Sequence, residues 1–266
     1  MADPELLDFG DGRRLERFGE RLIDRPHPAA TGPPRAPDRW PDADLRFERE
    51  TGWTGDTTPW SLGLDDIVLE LRPTDAGQVG LFAEHLEMHP WLRARHATTA
   101  LHLFAYTGAA TLALAASGTA VTHVDASRPT VTWARRNVEL SGLADRPVRW
   151  IVDEAVGFTA REGRRGRRYD LIVLDPPTYG HGEGRDWRLE RDLPGLLEAC
   201  AGVATDDAAV LLTAHSPSVG PEDLRWALID AGLATPDSTE HGDLALRTPD
   251  GRRLLLGAFA RSAPGA

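Results

Sequence analysis

The sequence contains no lysine and only one cysteine. All 30 basic residues of the 266-residue chain are therefore arginine, against 41 acidic residues and a formal net charge of −11 at pH 7. This acidity argues against a broadly basic nucleic-acid-binding surface, although it leaves a local one open. The single cysteine, Cys200, excludes an intramolecular disulfide and any cysteine-built metal cluster.

Long apolar runs are also missing. No segment approaches the ~20 apolar residues that a membrane-spanning helix needs. Residues 1–14, MADPELLDFGDGRR, lack the basic and apolar regions of a signal peptide. The composition, 41% hydrophobic and 27% charged, is that of an ordinary globular protein. We expect a cytoplasmic enzyme without a membrane partner and without a bound metal.

The residue pattern changes near residue 77 and divides the chain into two predicted parts. Residues 1–76 contain short strand-like fragments, a hairpin-like start and a proline-dense stretch from Pro26 to Pro41 that is typical of a surface linker. Residues 77–266 alternate between apolar strand-like runs and helical patterns. This alternation predicts an α/β fold, a doubly wound and mainly parallel Rossmann-like sheet with an antiparallel C-terminal strand near one edge. We therefore expect a small β-rich N-terminal extension followed by one larger domain.

Three strands of the predicted sheet end in groups that suit a nucleoside. The stretch 103–118, LFAYTGAATLALAASG, has a turn at Gly108 that lets a ligand approach the backbone, but it lacks the glycine spacing of a dinucleotide fold. Asp125 ends the next strand about 17 residues later, close to the ~20 expected for an acid that binds ribose. Asp153 and Glu154 end the third strand. Each acid alone is more often a solvated turn residue, but together they favour a nucleoside site.

The stretch 169–184, YDLIVLDPPTYGHGEG, combines a buried strand with an abrupt stop. Leu171 to Leu174 form the apolar run, Asp175 is the first polar residue after it, and Pro176 and Pro177 end the ladder because neither can donate a backbone hydrogen bond. Open α/β sheets bind ligands at the carboxyl ends of their strands. Asp175, the Pro176 carbonyl and Tyr179 are therefore the predicted catalytic groups.

These motifs together resemble class I S-adenosylmethionine-dependent methyltransferases. The resemblance runs from about residue 77 to residue 261. Three stretches carry it: LFAYTGAATLALAASG, THVDASRPTVTWARRNVELSGL and YDLIVLDPPTYG. The nearest branch is that of the bacterial 23S ribosomal RNA methyltransferases, which includes guanine-N7 and cytosine-C5 enzymes. The resemblance implies S-adenosyl-L-methionine as cofactor. The residues that it implies for the cofactor are Phe104, Tyr106, Thr107 and Gly108 around the methionine moiety, Asp125 at the ribose, Asp153 and Glu154 at the adenine, and Ala126 and Asp175 beside them. The stretch GQVGLFAEH departs from the family pattern and leaves Phe82, Glu84 and His85 as weaker candidates.

The residues around the acceptor favour methylation of a nitrogen. Methylation at cytosine C5 needs a cysteine thiolate, but Thr178 stands where one family position carries cysteine, and Cys200 lies on a predicted apolar helix face. Nitrogen methylation needs mainly an oriented acceptor and a place for its proton. We expect an RNA base, with guanine ahead of adenine, to stack on Tyr179.

The following loop and the next strand end supply the predicted substrate-binding residues. They are Tyr179, His181, Arg185, Trp187, Arg188, Arg191 and His215. Arginine and tryptophan together suit stacking and phosphate binding, although a solvated loop with an anchored tryptophan is equally consistent with the pattern. The basic run 161–168, REGRRGRR, should lie at the opposite edge of the sheet. Two alternatives stay open, a methyltransferase for a small metabolite and a non-catalytic nucleoside-binding protein.

Overall fold

The computed structural model describes residues 3–180 and 186–263. The N-terminal part forms a five-stranded sheet in the order β1-β2-β3-β4-β5 and a separate hairpin, β6–β7. Their bounds are β1 Glu5–Gly10, β2 Arg13–Phe18, β3 Arg21–Pro26, β4 Leu45–Glu48, β5 Gly52–Gly55, β6 Trp60–Leu64 and β7 Ile67–Leu71. Asp11 and Gly12 both have positive φ, 50° and 76°, which suits the two-residue turn between β1 and β2.

The larger part is a seven-stranded sheet in the order β10-β9-β8-β11-β14-β16-β15. Its strands are β8 Thr99–Leu103, β9 Ala120–Asp125, β10 Val148–Val152, β11 Tyr169–Leu174, β14 Ala204–Ala214, β15 Thr239–Arg247 and β16 Arg253–Ser262. Between β11 and β14 in the chain, β12 Tyr179–Gly180 and β13 Trp187–Arg188 form a separate two-stranded ribbon. The first five strands of this order are parallel, and β16 runs antiparallel to both of its neighbours. The predicted α/β fold with its antiparallel C-terminal strand is confirmed.

Helices cover both faces of this sheet, as the alternation predicts. Their bounds are α1 His89–Arg93, α2 Ala109–Ala116, α3 Arg128–Leu140, α4 Ala155–Arg164, α5 Leu189–Ala201 and α6 Pro221–Asp230, with short 3₁₀ helices at Pro37–Asp42, Ala83–Met88 and Pro236–Ser238. For residues 80–95 the sequence predicts a helix interrupted near Pro90. The structure has the 3₁₀ helix Ala83–Met88 followed directly by α1, and Pro90 falls in the first turn of α1, where its missing N–H costs nothing. Within the described residues, no helix is long and apolar enough to cross a membrane.

The N-terminal hairpin packs on the larger sheet's helices through polar anchors as well as apolar ones. Asn137 Oδ1 accepts the backbone N–H of Glu70 at 2.8 Å, and Ser141 Oγ accepts that of Val68 at 2.8 Å. The Trp133 indole donates to the Glu70 carbonyl at 2.9 Å. These bonds pair backbone groups of Val68 and Glu70 in β7 with side chains on and just after α3. The hairpin is therefore attached to α3 by hydrogen bonds. The domain boundary at residue 77 stays a prediction.

The two ends of the chain meet at a second contact. The buried Asp8 carboxylate in β1 accepts hydrogen bonds from the backbone of Arg35 and Ala36, the Trp40 indole and the Arg252 guanidinium. These bonds outweigh burial and hold the pKa of Asp8 below its usual value. A small hydrophobic cluster lies beside them, formed by Leu6, Phe9, Ala30, Leu254 and Leu256. The start of β16 is therefore packed against β1.

Candidate functional site

The predicted cofactor turn lies at the carboxyl end of β8, next to β11, where the strand order of the sheet reverses. Phe104, Tyr106 and Gly108 have φ of 54°, 50° and 88°, and such values are uncommon for residues other than glycine. At Gly108 a Cβ would lie 3.2 Å from Ala134 Cβ and 3.3 Å from Leu112 Cδ1, so a larger residue would have to displace helix side chains. A backbone held in this conformation is typical of a ligand-binding turn.

Hydrogen bonds from neighbouring elements fix the turn. Asp125 Oδ2 accepts the Tyr106 N–H at 2.9 Å and Oδ1 accepts the Ser127 N–H at 2.9 Å, while Thr107 Oγ1 donates to the Gly80 carbonyl at 2.6 Å. Ser127 caps α3 by accepting the Thr130 N–H, while both Asp125 oxygens accept backbone N–H groups. Burial raises the pKa of the Asp125 carboxyl. Each of its oxygens keeps a further lone pair for a ribose hydroxyl.

The two acids expected at the adenine lie next to Asp125 and have protein partners. The Asp153 carboxylate accepts a hydrogen bond from the Arg161 guanidinium. Glu154 caps α4 by accepting the N–H groups of Val156 and Gly157, both at 2.7 Å. Ala126, at the end of β9, is exposed between these acids and the cofactor turn. The three strand ends therefore meet at one edge of the sheet, with their carboxylates already hydrogen-bonded.

The predicted acceptor edge follows β11 directly. Asp175 Oδ1 accepts the Thr213 hydroxyl at 2.7 Å, Pro176 is buried, and the Tyr179 side chain is 70% exposed. Thr178 donates to the His215 carbonyl at 2.9 Å, so this position is a structural tie between β11 and β14. The loop leaves one large aromatic side chain open to solvent beside the turn.

The loop beyond β12 contributes three of the predicted substrate residues. The Trp187 indole donates to the Pro177 carbonyl at 2.6 Å and its ring lies 5.6 Å from that of Phe104, so Trp187 joins the acceptor loop to the cofactor turn. Arg188 is exposed, and Arg191 is exposed but paired with Asp192. His181 and Arg185 lie outside the described residues.

A pair of histidines occupies the space in front of Asp175. Nε2 of His85 and Nε2 of His215 are 2.9 Å apart, and they lie 3.9 and 3.7 Å from the two Asp175 carboxylate oxygens. His215 Nδ1 donates to the Leu256 carbonyl at 2.8 Å. His85, a weaker candidate from the sequence, is thus brought to the predicted catalytic acid. The signal for His85 was its place in GQVGLFAEH, whereas Thr213, which donates to Asp175 from β14, had no signal in the sequence.

Burial and charge act against each other in this group. Burial lowers the pKa of His85, and the Asp175 carboxylate opposes this only in part. Burial would also lower the pKa of His215, but Asp175 and Glu84 raise it above its usual value. For Asp175, the two imidazoles and the Thr213 hydrogen bond outweigh burial and lower the pKa. The cluster therefore presents an ionised carboxylate to two imidazoles.

One cavity joins His85 and Asp175 to the cofactor turn. Its walls include Phe82, His85, Tyr106, Gly108, Asp175 and Thr213. The Phe82 ring lies 5.4 Å from the Tyr106 ring and 5.5 Å from the His215 ring. The same cavity thus reaches both the turn expected around the methionine moiety and the acid expected at the acceptor.

Two other sequence features lie away from this cavity. Cys200 is completely buried in α5, and burial raises the pKa of its thiol to about 12, so it is not a nucleophile at neutral pH. The basic run 161–168 forms the end of α4 and the turn before β11, at the edge of the sheet opposite the cofactor turn.

The sheet order, the antiparallel β16 and the nucleoside-directed turn define a Rossmann-like methyltransferase. No family model matches the chain. A structure described as an S-adenosylmethionine-dependent methyltransferase from Agrobacterium tumefaciens is 34% identical, with a TM-score of 0.92 over 99% of this chain and 91% of that one. The chain belongs to the S-adenosylmethionine-dependent methyltransferases, and S-adenosylmethionine is its methyl donor.

More distant structures and curated relatives agree with this assignment. A methyltransferase complexed with S-adenosylhomocysteine has a TM-score of 0.76 at 16% identity over 95% of this chain and 72% of that one, and shows the shared fold. A protein named ribosomal RNA large subunit methyltransferase K/L from Hahella chejuensis is 36% identical over 126 residues, 46% of this chain and 17% of that protein. Its namesake from Stutzerimonas stutzeri is 36% identical over 144 residues, 52% and 19%. The chain spans about a fifth of the length of these curated relatives.

Proposed function

We propose that the enzyme methylates a base nitrogen of ribosomal RNA, guanine in preference to adenine, without a covalent cysteine intermediate. The observation that carries this proposal is the acceptor edge, where Asp175 and the exposed Tyr179 ring follow β11 directly beside the cofactor turn. The names of the curated relatives support ribosomal RNA as the substrate. Cytoplasmic location, predicted from the sequence, is part of the same proposal.

In the proposed complex each group at this edge has a separate task. The Asp175 carboxylate and the Pro176 carbonyl accept from the amine of an unstacked base, and the 70% exposed Tyr179 ring stacks on it. Phe104, Tyr106, Thr107 and Gly108 surround the methionine moiety, Asp125 and Ala126 the ribose, and Asp153 and Glu154 the adenine. Orientation of the acceptor toward the methyl group supplies the rate enhancement.

Substrate contacts beyond the base involve mainly arginine and tryptophan side chains after β12. The described members of this proposed set are Trp187 and Arg188 in β13, Arg191 in α5 and His215 after β14. His181 and Arg185, which lie outside the described residues, belong to the same proposed set. We further propose that residues 1–76 form an N-terminal unit that helps to grip the RNA. A cysteine nucleophile has no place in this scheme, because the sole thiol is buried and has a pKa of about 12.

The test uses RNA from a strain that lacks the gene. Total RNA and precursor ribosomal particles are incubated with the purified protein and S-adenosylmethionine labelled in its methyl group, followed by mass spectrometry of the labelled nucleoside. We expect label in a guanine nitrogen, with at least about a 100-fold loss in Asp175→Asn because one acceptor of the oriented amine is replaced. Absence of label from every ribosomal RNA species, with label in a small-molecule extract, would establish the metabolite alternative.

A second variant tests the absence of covalent catalysis. Cys200→Ala should keep the rate of the unmodified enzyme within about twofold, because the thiol touches only core side chains. A C5-methylated pyrimidine as the labelled product, lost in Cys200→Ala, would reject the nitrogen assignment.

A further inference from the structure

The histidine pair and Asp175 have the geometry of a metal site, contrary to the metal-free site expected from the sequence. His85 Nε2, His215 Nε2 and a carboxylate oxygen of Asp175 converge from three different elements, the 3₁₀ helix Ala83–Met88 and the ends of β14 and β11. We propose that these three side chains bind one divalent first-row transition-metal ion, with Zn²⁺ as the reference ion.

The distances between the three groups are close to those around a shared ion. Two atoms that are each about 2.1 Å from one metal lie about 3.0 Å apart in octahedral and about 3.4 Å apart in tetrahedral coordination. The observed separations are 2.9 Å between the two Nε2 atoms, and 3.7 and 3.9 Å from them to Asp175 oxygens. The separation between the rings matches the octahedral value, whereas the two separations to Asp175 are to different carboxylate oxygens and exceed the tetrahedral value. The Asp175 side chain would therefore have to move toward the rings to complete the site.

The outer contacts hold two of the three ligands in the orientation that metal binding requires. His215 Nδ1 donates to the Leu256 carbonyl at 2.8 Å, which fixes the tautomer in which Nε2 has a free lone pair. The Thr213 hydroxyl donates to Asp175 Oδ1 at 2.7 Å. A carbonyl behind a histidine ligand and a hydroxyl behind a carboxylate ligand are the usual second contacts of protein metal sites.

The charge around the cluster also favours a cation. The Asp175 carboxylate faces both imidazoles. The buried Glu84 carboxyl lies beside them, with Oε1 3.8 Å from His215 Nδ1, and the buried Arg14 guanidinium interacts electrostatically with both Glu84 and His215. In the part of the chain that the structure describes, Glu84 Oε2 has no hydrogen-bond partner. A divalent ion between the imidazoles and Asp175 would pair directly with the Asp175 carboxylate.

The ligand set selects the kind of ion and leaves room for a substrate atom. Two imidazoles favour zinc, iron, cobalt or nickel over magnesium and calcium, which prefer all-oxygen sites. Two histidines and one carboxylate leave coordination positions open, and the cavity that continues toward Tyr106 and Gly108 lies on this side. An ion there would hold an oxygen of the acceptor beside the cofactor's methyl group as a Lewis acid, and would leave the lone pair of the acceptor nitrogen free to attack the methyl group.

The proposal goes beyond methyl transfer to RNA and is tested without RNA. The full chain, produced without a histidine tag and treated with a chelator, is titrated with Zn²⁺ by calorimetry and with Co²⁺ by absorption spectroscopy. We expect one ion per chain, and Co²⁺ bands that indicate mixed nitrogen and oxygen ligands. Failure of metal binding would leave the RNA experiment unaffected, and failure of RNA methylation would leave the metal result intact.

Variants locate the ion. His85→Ala and His215→Ala should each weaken Zn²⁺ binding at least about 100-fold, and Thr213→Val, which removes only an outer contact, about 10-fold. His96→Ala, an exposed histidine on a turn, is the matched control and should bind as the unmodified protein does. His85→Gln and His215→Asn replace the alanine variants if circular dichroism shows that those do not fold.

Two results would overturn the proposal. Absence of saturable Zn²⁺ and Co²⁺ binding would show that the 2.9 Å contact between the rings is an ordinary hydrogen bond. Binding that persists in the His85→Ala, His215→Ala double variant would place the ion elsewhere in the chain.

Discussion

The protein contains two histidine pairs that differ in their surroundings. His102 and His123, in adjacent strands β8 and β9, share one hydroxyl, since their Nδ1 atoms lie 2.7 and 2.9 Å from Thr111 Oγ1. His85 and His215 contact each other directly and face the Asp175 carboxylate. The first pair is 6% and 0% exposed, the second 22% and 26%. His85 and His102 both line the cavity at the cofactor turn, so the two pairs differ in their exposure and in their partners, a shared hydroxyl in one and a carboxylate in the other.

The two pairs differ in the group that their imidazole rings contact. The Thr111 hydroxyl bonds to both rings of the inner pair, and burial lowers the pKa of His123 to about 3 and that of His102 well below its usual value. The outer pair has Asp175 in front of it, which raises the pKa of His215. The inner pair therefore shares a neutral hydroxyl, whereas the outer pair faces an ionised carboxylate.

The largest expected effect comes from removing the hydroxyl that holds the inner pair. Thr111→Val leaves two buried imidazole nitrogens without their partner and should lower the free energy of unfolding by about 2–5 kcal/mol. Urea denaturation at neutral pH measures this. The matched change at the outer pair, Thr213→Val, should cost about 1 kcal/mol, because Asp175 there is partly solvated. Equal losses in the two variants would contradict the distinction between the pairs.

A pH series sharpens the same comparison. The unfolded chain binds a proton on His123 near pH 6.5, but the folded chain does so only near its pKa of about 3. Unfolding therefore takes up a proton between these values, and stability falls as the pH is lowered through this window by up to about 1.4 kcal/mol per pH unit.

The variant His123→Gln isolates that contribution. Its free energy of unfolding should depend less steeply on pH between about 6.5 and 4. His96→Gln, which changes an exposed histidine, should keep the slope of the unmodified protein. Parallel curves for His123→Gln and the unmodified protein would show that His123 is protonated in the folded state.

The smallest expected effect is on the outer pair. In chelator-treated protein, His85→Gln should change the free energy of unfolding by no more than about 0.5 kcal/mol, because the ring is partly exposed and borders a cavity. His102→Gln, the same replacement in the inner pair, should cost more than about 1 kcal/mol. Thermal melting compares the two, and a larger loss in His85→Gln would make the outer pair the structural one.

The sheet could be predicted because its strands are apolar runs that end in recognisable turns. Leu171 to Leu174, the Gly108 turn and the Ser127 cap all have local signals. The N-terminal part was predicted only as β-rich, because its strands are short and contain charged residues such as Arg14, Glu16 and Arg25, which are buried together. Such pairing across strands leaves no periodic signal in the sequence.

The site could be predicted where its residues directly follow a strand, as Asp125 and Asp175 do. Thr213 and the Leu256 carbonyl could not, and Glu84 was only a weaker candidate, because their roles depend on distances between elements far apart in the chain. Sequence reasoning assigned the carboxylates of Asp153 and Glu154 to a ligand, and the structure shows that helix capping and an arginine also use them. A position at the end of a strand therefore predicts where a site lies better than it predicts what each side chain does there.

The contact between Asp8 and Arg252 has a consequence for the order of events during synthesis. The two residues are 244 positions apart, so β1 leaves the ribosome long before its partner exists. The first strands can form their own sheet, but the buried carboxylate completes its hydrogen bonds only when β16 has been made. The Leu256 carbonyl of β16 also orients His215. A chain truncated before β16 would therefore lack this contact of the site as well as the hydrogen bond between Asp8 and Arg252.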